Sequence, residues 1–313
     1  MPLVSPCPPI DNRRAMLDHV LTLIGKAPGV LDSAVTDAVR AALWRLGAET
    51  GPPDWLAPGL ACDIGFALLH PDQAAAAARQ ALGDRPADAL AQARAGRVKR
   101  LLVADMESTL IRNEMLDELA AEAGIGERIA GITRAAMNGE LDFEAALRER
   151  VALLAGLPVT ILAVAAARIE PMPGARSLVA TMRRHGATTV LVSGGFRCFT
   201  GLVRVSLGLD LDLANDLLVE DGRLTGRVAE PILGRHAKHA ALIRLASEHR
   251  VPLAATLAVG DGANDIDLLD AAGLGIAFHA KPAVAAHAGH RIDHADLTAL
   301  LYAQGYRQDE LVD

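Results

Sequence analysis

Aromatic side chains are scarce in this chain, with two Trp, two Tyr and five Phe among 313 residues. Proteins that bind single-stranded nucleic acid stack bases on aromatic platforms beside a basic groove, whereas the formal net charge here is −7. Nucleic acid is therefore excluded as an expected partner. Cysteine is sparse too. Cys7, Cys62 and Cys198 are odd in number and far apart, which fits neither a disulfide framework nor a zinc knuckle and suits a reducing compartment. No window comes near the roughly 18 uninterrupted apolar residues of a membrane helix. Met1-Pro2-Leu3-Val4-Ser5-Pro6 has no basic region ahead of an apolar run, so no signal peptide is expected. These absences leave a soluble, cytoplasmic protein with no membrane partner as the expectation.

Aliphatic residues are abundant. Hydrophobic residues make up 51% of the chain, and the many alanines favour helix. At roughly 100–200 residues per domain, about two domains are expected. Residues 1–96 carry no recognisable chemistry. The pattern there predicts an amphipathic helix over 16–26, a strand over 60–69 and an alanine-rich helix over 72–82. Pro52-Pro53, Pro58-Gly59 and 83–86 punctuate them as turns. This is an accessory α+β domain, for which a structural or dimerising role is expected, so a homodimer is a candidate assembly. Arg94, Arg97, Lys99 and Arg100 follow and read as a solvated linker leading into a strand.

The aliphatic run 101–104 is continuous rather than alternating, as in a buried parallel strand. It ends in Asp105-Met106-Glu107-Ser108-Thr109. Carboxylates at the carboxyl end of such a strand suit metal binding or catalysis, and they equally suit a capped helix N-terminus. Helical periodicity then holds to about 169. Four helical stretches here interrupt strand–helix alternation, so a bundle inserted at about 112–170 is expected. A β-branched strand over 188–192 ends in Ser193-Gly194-Gly195-Phe196, which reads either as an anion cradle ahead of a helix or as a tight turn. Asp221-Gly222 between apolar runs predicts a hairpin. Lys238 lies near the start of a helix over 236–249. A strand over 256–259 ends in Gly260-Asp261-Gly262-Ala263-Asn264-Asp265, two carboxylates four apart that either share a site or cap the next helix.

In one parallel sheet, these three tips meet at one edge. The joint content is four carboxylates, a Ser-Gly cradle and a lysine. Carboxylate oxygens suit Mg²⁺, while lysine and the Ser-Gly amides suit phosphate oxygens. With a carboxylate nucleophile, this is the equipment for phosphoryl transfer through an aspartyl-phosphate.

The motifs at Asp105–Thr109, Ser193–Phe196, Lys238 and Gly260–Asp265, in that order, resemble those of the haloacid dehalogenase superfamily. Asn113-Glu114, the run 137–143 and the run 147–151 extend the resemblance to its phosphoserine phosphatase family, over about 98–300. The resemblance implies an α/β fold: a Rossmann-like core, a parallel sheet with helices on both faces, and an inserted helical-bundle cap. The phosphatase domain would span 97–313. It further implies Mg²⁺-dependent hydrolysis of O-phospho-L-serine to L-serine and phosphate, the last step of serine biosynthesis. Asp105 would be the nucleophile and Glu107 the acid/base. Mg²⁺ would be held by Asp105, the Glu107 backbone carbonyl and Asp261, anchored by Asp265. Ser193, Gly194 and Lys238 would hold phosphate oxygens, with Asn264 nearby. In the cap, Glu114 would pair with the substrate ammonium and Arg150 with its carboxylate, under an apolar lid of Met137 and Phe143.

One residue departs from the family pattern. The acid/base is normally aspartate, and Glu107 carries its carboxyl about one C–C bond (~1.5 Å) further out. Misplacement of about an ångström can cost on the order of 10²-fold in rate, so a compensating shift in the loop is expected. Another small phosphorylated substrate such as phosphohomoserine, or an impaired amino-acid-sensing protein, are the alternative readings.

Overall fold

Two sheets of opposite character organise the chain. The computed structural model describes residues 17–137 and 142–312, with the backbone alone for 135–137 and Arg235. The first sheet comprises β1 (His19–Gly25), β2 (Glu49–Ala57), β3 (Ala61–Ala67) and β4 (Ala87–Ala93). Helix α1 (Ser33–Arg45) links β1 to β2, and α2 (Pro71–Leu82) links β3 to β4. The strands are antiparallel in the order β2-β3-β1-β4.

The strand expected at 60–69 and the helix expected at 72–82 are present as β3 and α2. The helix expected over 16–26 is instead strand β1, with residue 16 outside the described residues. Its run HVLTLIG lacks the period-two signature because both faces are buried. Leu21 and Leu23 pack with Val35, Val39 and Ala78 of the two helices, while Ile24 joins the core beneath the sheet with Leu102 and Tyr302. A strand covered on both sides cannot be told from a helix by periodicity.

The same packing overturns the solvated reading for Arg97 and Lys99, while Arg94 and Arg100 are exposed as expected. Arg97 is ion-paired to the buried Asp63 at 2.6 Å. Lys99 is 5% exposed and donates to the carbonyls of Gly96 at 3.0 Å and Ala254 at 2.8 Å. Arg97 and Lys99 lie where the two sheets meet, and there they pair with the buried Asp63 and with backbone carbonyls. Asp88 strengthens the junction by accepting the N–H groups of Asp293, His294 and Ala295 at 2.8, 3.2 and 2.9 Å.

The second sheet starts at β5 (Leu101–Ala104). Four helices follow, α3 (Met115–Glu122), α4 (Gly126–Met137), α5 (Phe143–Ala152) and α6 (Ile161–Ala166), then α7 (Ala175–Arg184) leads to β6 (Thr188–Phe196). Helix α8 (Arg197–Leu207), β7 (Leu211–Asn215) and a hairpin of β8 (Leu217–Glu220) and β9 (Arg223–Val228) come next. The hairpin turns at Asp221-Gly222 as expected, with φ of 48° and 72°, the conformation of a type I′ turn. Helix α9 (Arg235–Glu248), β10 (Thr256–Gly260), α10 (Ile266–Ala271), β11 (Leu274–Phe278), α11 (Pro282–His287), β12 (His290–Ile292) and α12 (Ala299–Gln304) complete the described chain.

All six main strands are parallel, in the order β12-β11-β10-β5-β6-β7. Alternate residues of each strand serve opposite cores. Leu101, Val103 and Ala258 pack with Leu242 and Leu245 of α9, whereas Leu102 and Val259 pack with Leu178 of α7 and Phe199 of α8. Helices therefore cover both faces. From β5 the chain builds outward through β6 and β7, then crosses back to lay down β10 on the other side. The crevice above β5 and β10 is the topological switch point, where such sheets bind ligands. Among the described residues no helix is long and apolar enough to cross a membrane.

Candidate active site

Parallel pairing places Val259 of β10 beside Ala104 of β5, and the Asp105 N–H donates to the Val259 carbonyl at 3.0 Å. That register brings the two acidic tips together. Asp105, Asp261 and Asp265 are all buried, and each presents a carboxylate oxygen within 4.8 Å of the others. Three buried anions at this spacing need positive charge. Lys238, 1% exposed on the first turns of α9, lies 2.8 Å from Asp105 Oδ1 and 2.7 Å from Asp265 Oδ1. Burial alone would lower its pKa, but the two carboxylates raise it, so it is held as a cation. Lys281, just past β11, reaches Asp261 Oδ2 at 3.3 Å.

The capping reading of the third tip survives in part, since Asp265 Oδ2 accepts the Gly262 N–H at 3.2 Å while Oδ1 faces Lys238. Its carboxylate is drawn inward only because glycine precedes it. A Cβ on Gly260 would collide with the Asp265 carboxylate, and one on Gly262 with Asn264 Oδ1. Asn264 is thus folded back on its own turn.

Glu107 Oε1 accepts the Met115 N–H at 2.8 Å, at the N-terminus of α3. Its Oε2 lies 3.3 Å from where a Cβ on Gly195 would sit. Burial first, then the nearby Glu114 charge, raise the Glu107 carboxyl to about 8, which favours its protonated form. Among the described residues nothing donates to its backbone carbonyl. Ser108 turns the chain here in the left-handed region, φ 54°, and its hydroxyl donates to Glu114 Oε1 at 2.9 Å.

Ser193-Gly194-Gly195 is not a free turn. It lies inside β6, where the register with β7 slips between Val192 and Phe196, a local bulge of the kind that re-aims side chains beside sites. Ser193, 1% exposed, accepts the Gly195 N–H at Oγ, 2.9 Å away. Its own hydrogen is left to donate into the site. The Phe143 ring of α5 roofs the bulge: a Cβ on Gly194 would stand 3.0 Å from Cζ, and one on Gly234 3.2 Å from Cδ1.

Arg150, also on α5, donates Nε–H to the Ala146 carbonyl at 3.1 Å and makes no ion pair with a described residue. Burial lowers its pKa, and the charges of Asp117, Glu107 and Glu114 raise it. It therefore lies within the field of both glutamates, while Glu114 itself opens to solvent at the α3 N-cap. The structure thus brings together the acids, Lys238, Ser193, Gly194, Glu114, Arg150 and Phe143. The Met137 side chain lies outside the described residues. Sequence reasoning missed Lys281 and Asn215. For Lys281 the signal was a polar residue just past a strand tip on this edge, which read only as a turn; Asn215 carried none.

A profile of the haloacid dehalogenase-like hydrolases matches residues 102–270, from β5 to α10. The chain belongs to this family. The chain is 49% identical over 217 residues to the phosphoserine phosphatase of Mycobacterium tuberculosis, covering 69% of the chain and 53% of that protein. It therefore spans about half the length of that relative. To the phosphoserine phosphatase of Lactococcus lactis it is 45% identical over 203 residues, 65% of the chain and 94% of that protein. The unliganded probable phosphoserine phosphatase from Vibrio cholerae superposes with a TM-score of 0.75 at 31% identity, over 94% of this chain and 88% of that one.

Proposed function

We propose that this hydrolase cleaves O-phospho-L-serine to L-serine and phosphate through an aspartyl-phosphate on Asp105. The observation that carries the reading is the buried Asp105–Lys238–Asp265 cluster, set beneath a cap that offers one anion and one cation. Asp105 Oδ1 already takes the Met106 N–H at 2.8 Å as well as Lys238. Its Oδ2 takes no hydrogen bond from a described residue and is the free nucleophile. Oδ2 attacks phosphorus as the ester P–O bond breaks, and Glu107 passes its proton to the departing serine oxygen. Glu107, now a carboxylate, takes a proton from the water that attacks phosphorus. The Asp105–phosphorus bond breaks, phosphate leaves and both side chains are restored. Ser193, the Gly194 N–H and Lys238 hold the phosphoryl oxygens throughout.

The all-oxygen donor set and three converging carboxylates fit Mg²⁺. Asp105, Asp261 and the Glu107 carbonyl would hold it, with Asp265 as their anchor. When bound it would neutralise charge on the phosphoryl group and orient it. Glu114 and Arg150 match the ammonium and carboxylate of an amino acid, and Phe143 excludes water above Gly194. By the same reading, residues 1–96 form an accessory domain and 97–313 the phosphatase domain, with its cap at about 112–170.

The test is phosphate release from O-phospho-L-serine, with and without Mg²⁺, by wild type and Asp105→Asn. Activity is expected only for wild type with Mg²⁺. Turnover by the variant would remove Asp105 from the mechanism.

A further inference from the structure

Asn215 is 3% exposed and ends β7, the short edge strand two places from β5 and its Asp105 tip. All of its hydrogen-bonding groups are engaged. Nδ2 donates to the carbonyls of Gly194 at 2.8 Å and Leu233 at 3.2 Å, and Oδ1 accepts the Leu233 N–H at 2.6 Å. Because one partner is a donor and two are carbonyls, the amide has one orientation that satisfies them. Its partners belong to the two segments that face phosphate. Gly194 is the centre of the β6 bulge. Leu233 precedes Gly234, the N-cap of α9, whose carbonyl accepts the Lys238 N–H at 3.2 Å.

The first of these bonds reaches further than its direct partner. The Gly194 carbonyl and the Gly195 N–H belong to one planar peptide unit. Fixing that carbonyl on Asn215 turns the Gly195 N–H to the opposite side, where it meets Ser193 Oγ at 2.9 Å. Ser193 Oγ is then occupied as an acceptor, and its hydrogen is directed away from the bulge. Glycine at 194 and 195 has no side chain to hold this plane, so the constraint has to come from outside the segment. The Val192–Phe196 register slip beside Asn215 removes the ladder bonds that would otherwise supply it.

We propose that Asn215 is the positioning residue of the phosphate cradle: one amide clamps the 193–195 bulge to the start of α9, aiming the Ser193 hydroxyl and Lys238 at the same phosphoryl group. This rests on the phosphatase reading and adds to it a residue that touches no reacting atom. Asn215→Asp keeps the shape but puts a second acceptor against two carbonyls, releasing the peptide plane. Asn215→Ala removes the clamp outright.

The test is calorimetric binding of inorganic phosphate to the Mg²⁺-loaded full chain, alongside Mg²⁺ binding itself and p-nitrophenyl phosphate turnover. Both variants should bind phosphate about tenfold more weakly, with kcat down about 10–100-fold and Mg²⁺ affinity within about twofold of wild type. In a Ser193→Ala background, the Asn215→Asp substitution should cost clearly less than it does alone, as coupled residues require. Folded variants with unchanged phosphate affinity, or effects that add fully to Ser193→Ala, would overturn the proposal. If Asn215→Ala does not fold, the near-isosteric Asp variant decides. A wild type that binds no phosphate would instead refute the phosphatase reading on which the proposal stands.

Discussion

Replacing Lys238 by methionine should separate the electrostatic role of that lysine in the fold from its role in the chemistry. The side chain is 1% exposed and stands 2.8 and 2.7 Å from two carboxylates. At an effective dielectric of about 20, each such pair is worth roughly 6 kcal/mol of attraction. Desolvating the ions offsets much of that at several kcal/mol each. The substitution removes the attraction but leaves Asp105 and Asp265 buried. Uncompensated buried charges of this kind cost about 3–5 kcal/mol, which in a chain of this size is a fall in melting temperature of about 5–8 °C. Among the described residues, exposed Lys281 is the remaining cation on the cluster, and its field is screened by water. Two further arms follow from the same charges. Adding Asp265→Asn to Lys238→Met should recover part of the loss, because one anion disappears with the cation. Mg²⁺ should also shrink the gap to wild type. Thermal and urea unfolding with and without Mg²⁺ read the stability, and phosphate release should stay lost in both variants. If metal-free Lys238→Met melts with wild type, the triad is not electrostatically coupled as described.

The remaining predictions concern groups that the cap brings over the cluster. Glu107→Gln can still accept the Met115 N–H but cannot transfer a proton, so turnover should fall about 10²–10⁴-fold, whereas Glu107→Asp should keep substantial activity. A tolerated Gln would remove residue 107 from proton transfer. Arg150→Ala should raise KM for O-phospho-L-serine about 10–100-fold through loss of a charged hydrogen bond, with KM for p-nitrophenyl phosphate within about threefold. Equal effects on both substrates would mean that Arg150 does not recognise the amino-acid carboxylate.

The centre of the main sheet was legible because β5, β6 and β10 are buried on both faces and carry polar residues at their carboxyl ends. The aliphatic runs ahead of Asp105 and Gly260 could be assigned to one sheet edge, but not to adjacent strands, before their register was known. The identical property concealed β1, whose run of apolar residues has no polar tip to mark it as a strand. Arg97 and Lys99 were misread because composition reports charge and not burial. Only the docking of the two sheets turns a basic linker into buried donors for Asp63, Gly96 and Ala254. Asn215 was invisible for a related reason: its contribution lies in three bonds to backbone groups, and backbone partners leave no trace in residue types.

Glu107 marks the boundary between the two kinds of information. The extra methylene can be read directly, and with it the threat of a carboxyl displaced by about 1.5 Å. Where that length goes is a matter of packing. Ser108 in the left-handed region brings the chain round so that one Glu107 oxygen meets the first N–H of α3, at 2.8 Å. The other lies against Gly195, where a Cβ would stand 3.3 Å away. The carboxyl is thus fixed between the cap's first helix and the Ser193 bulge. In that position the longer side chain spans from the β5 tip to the cap.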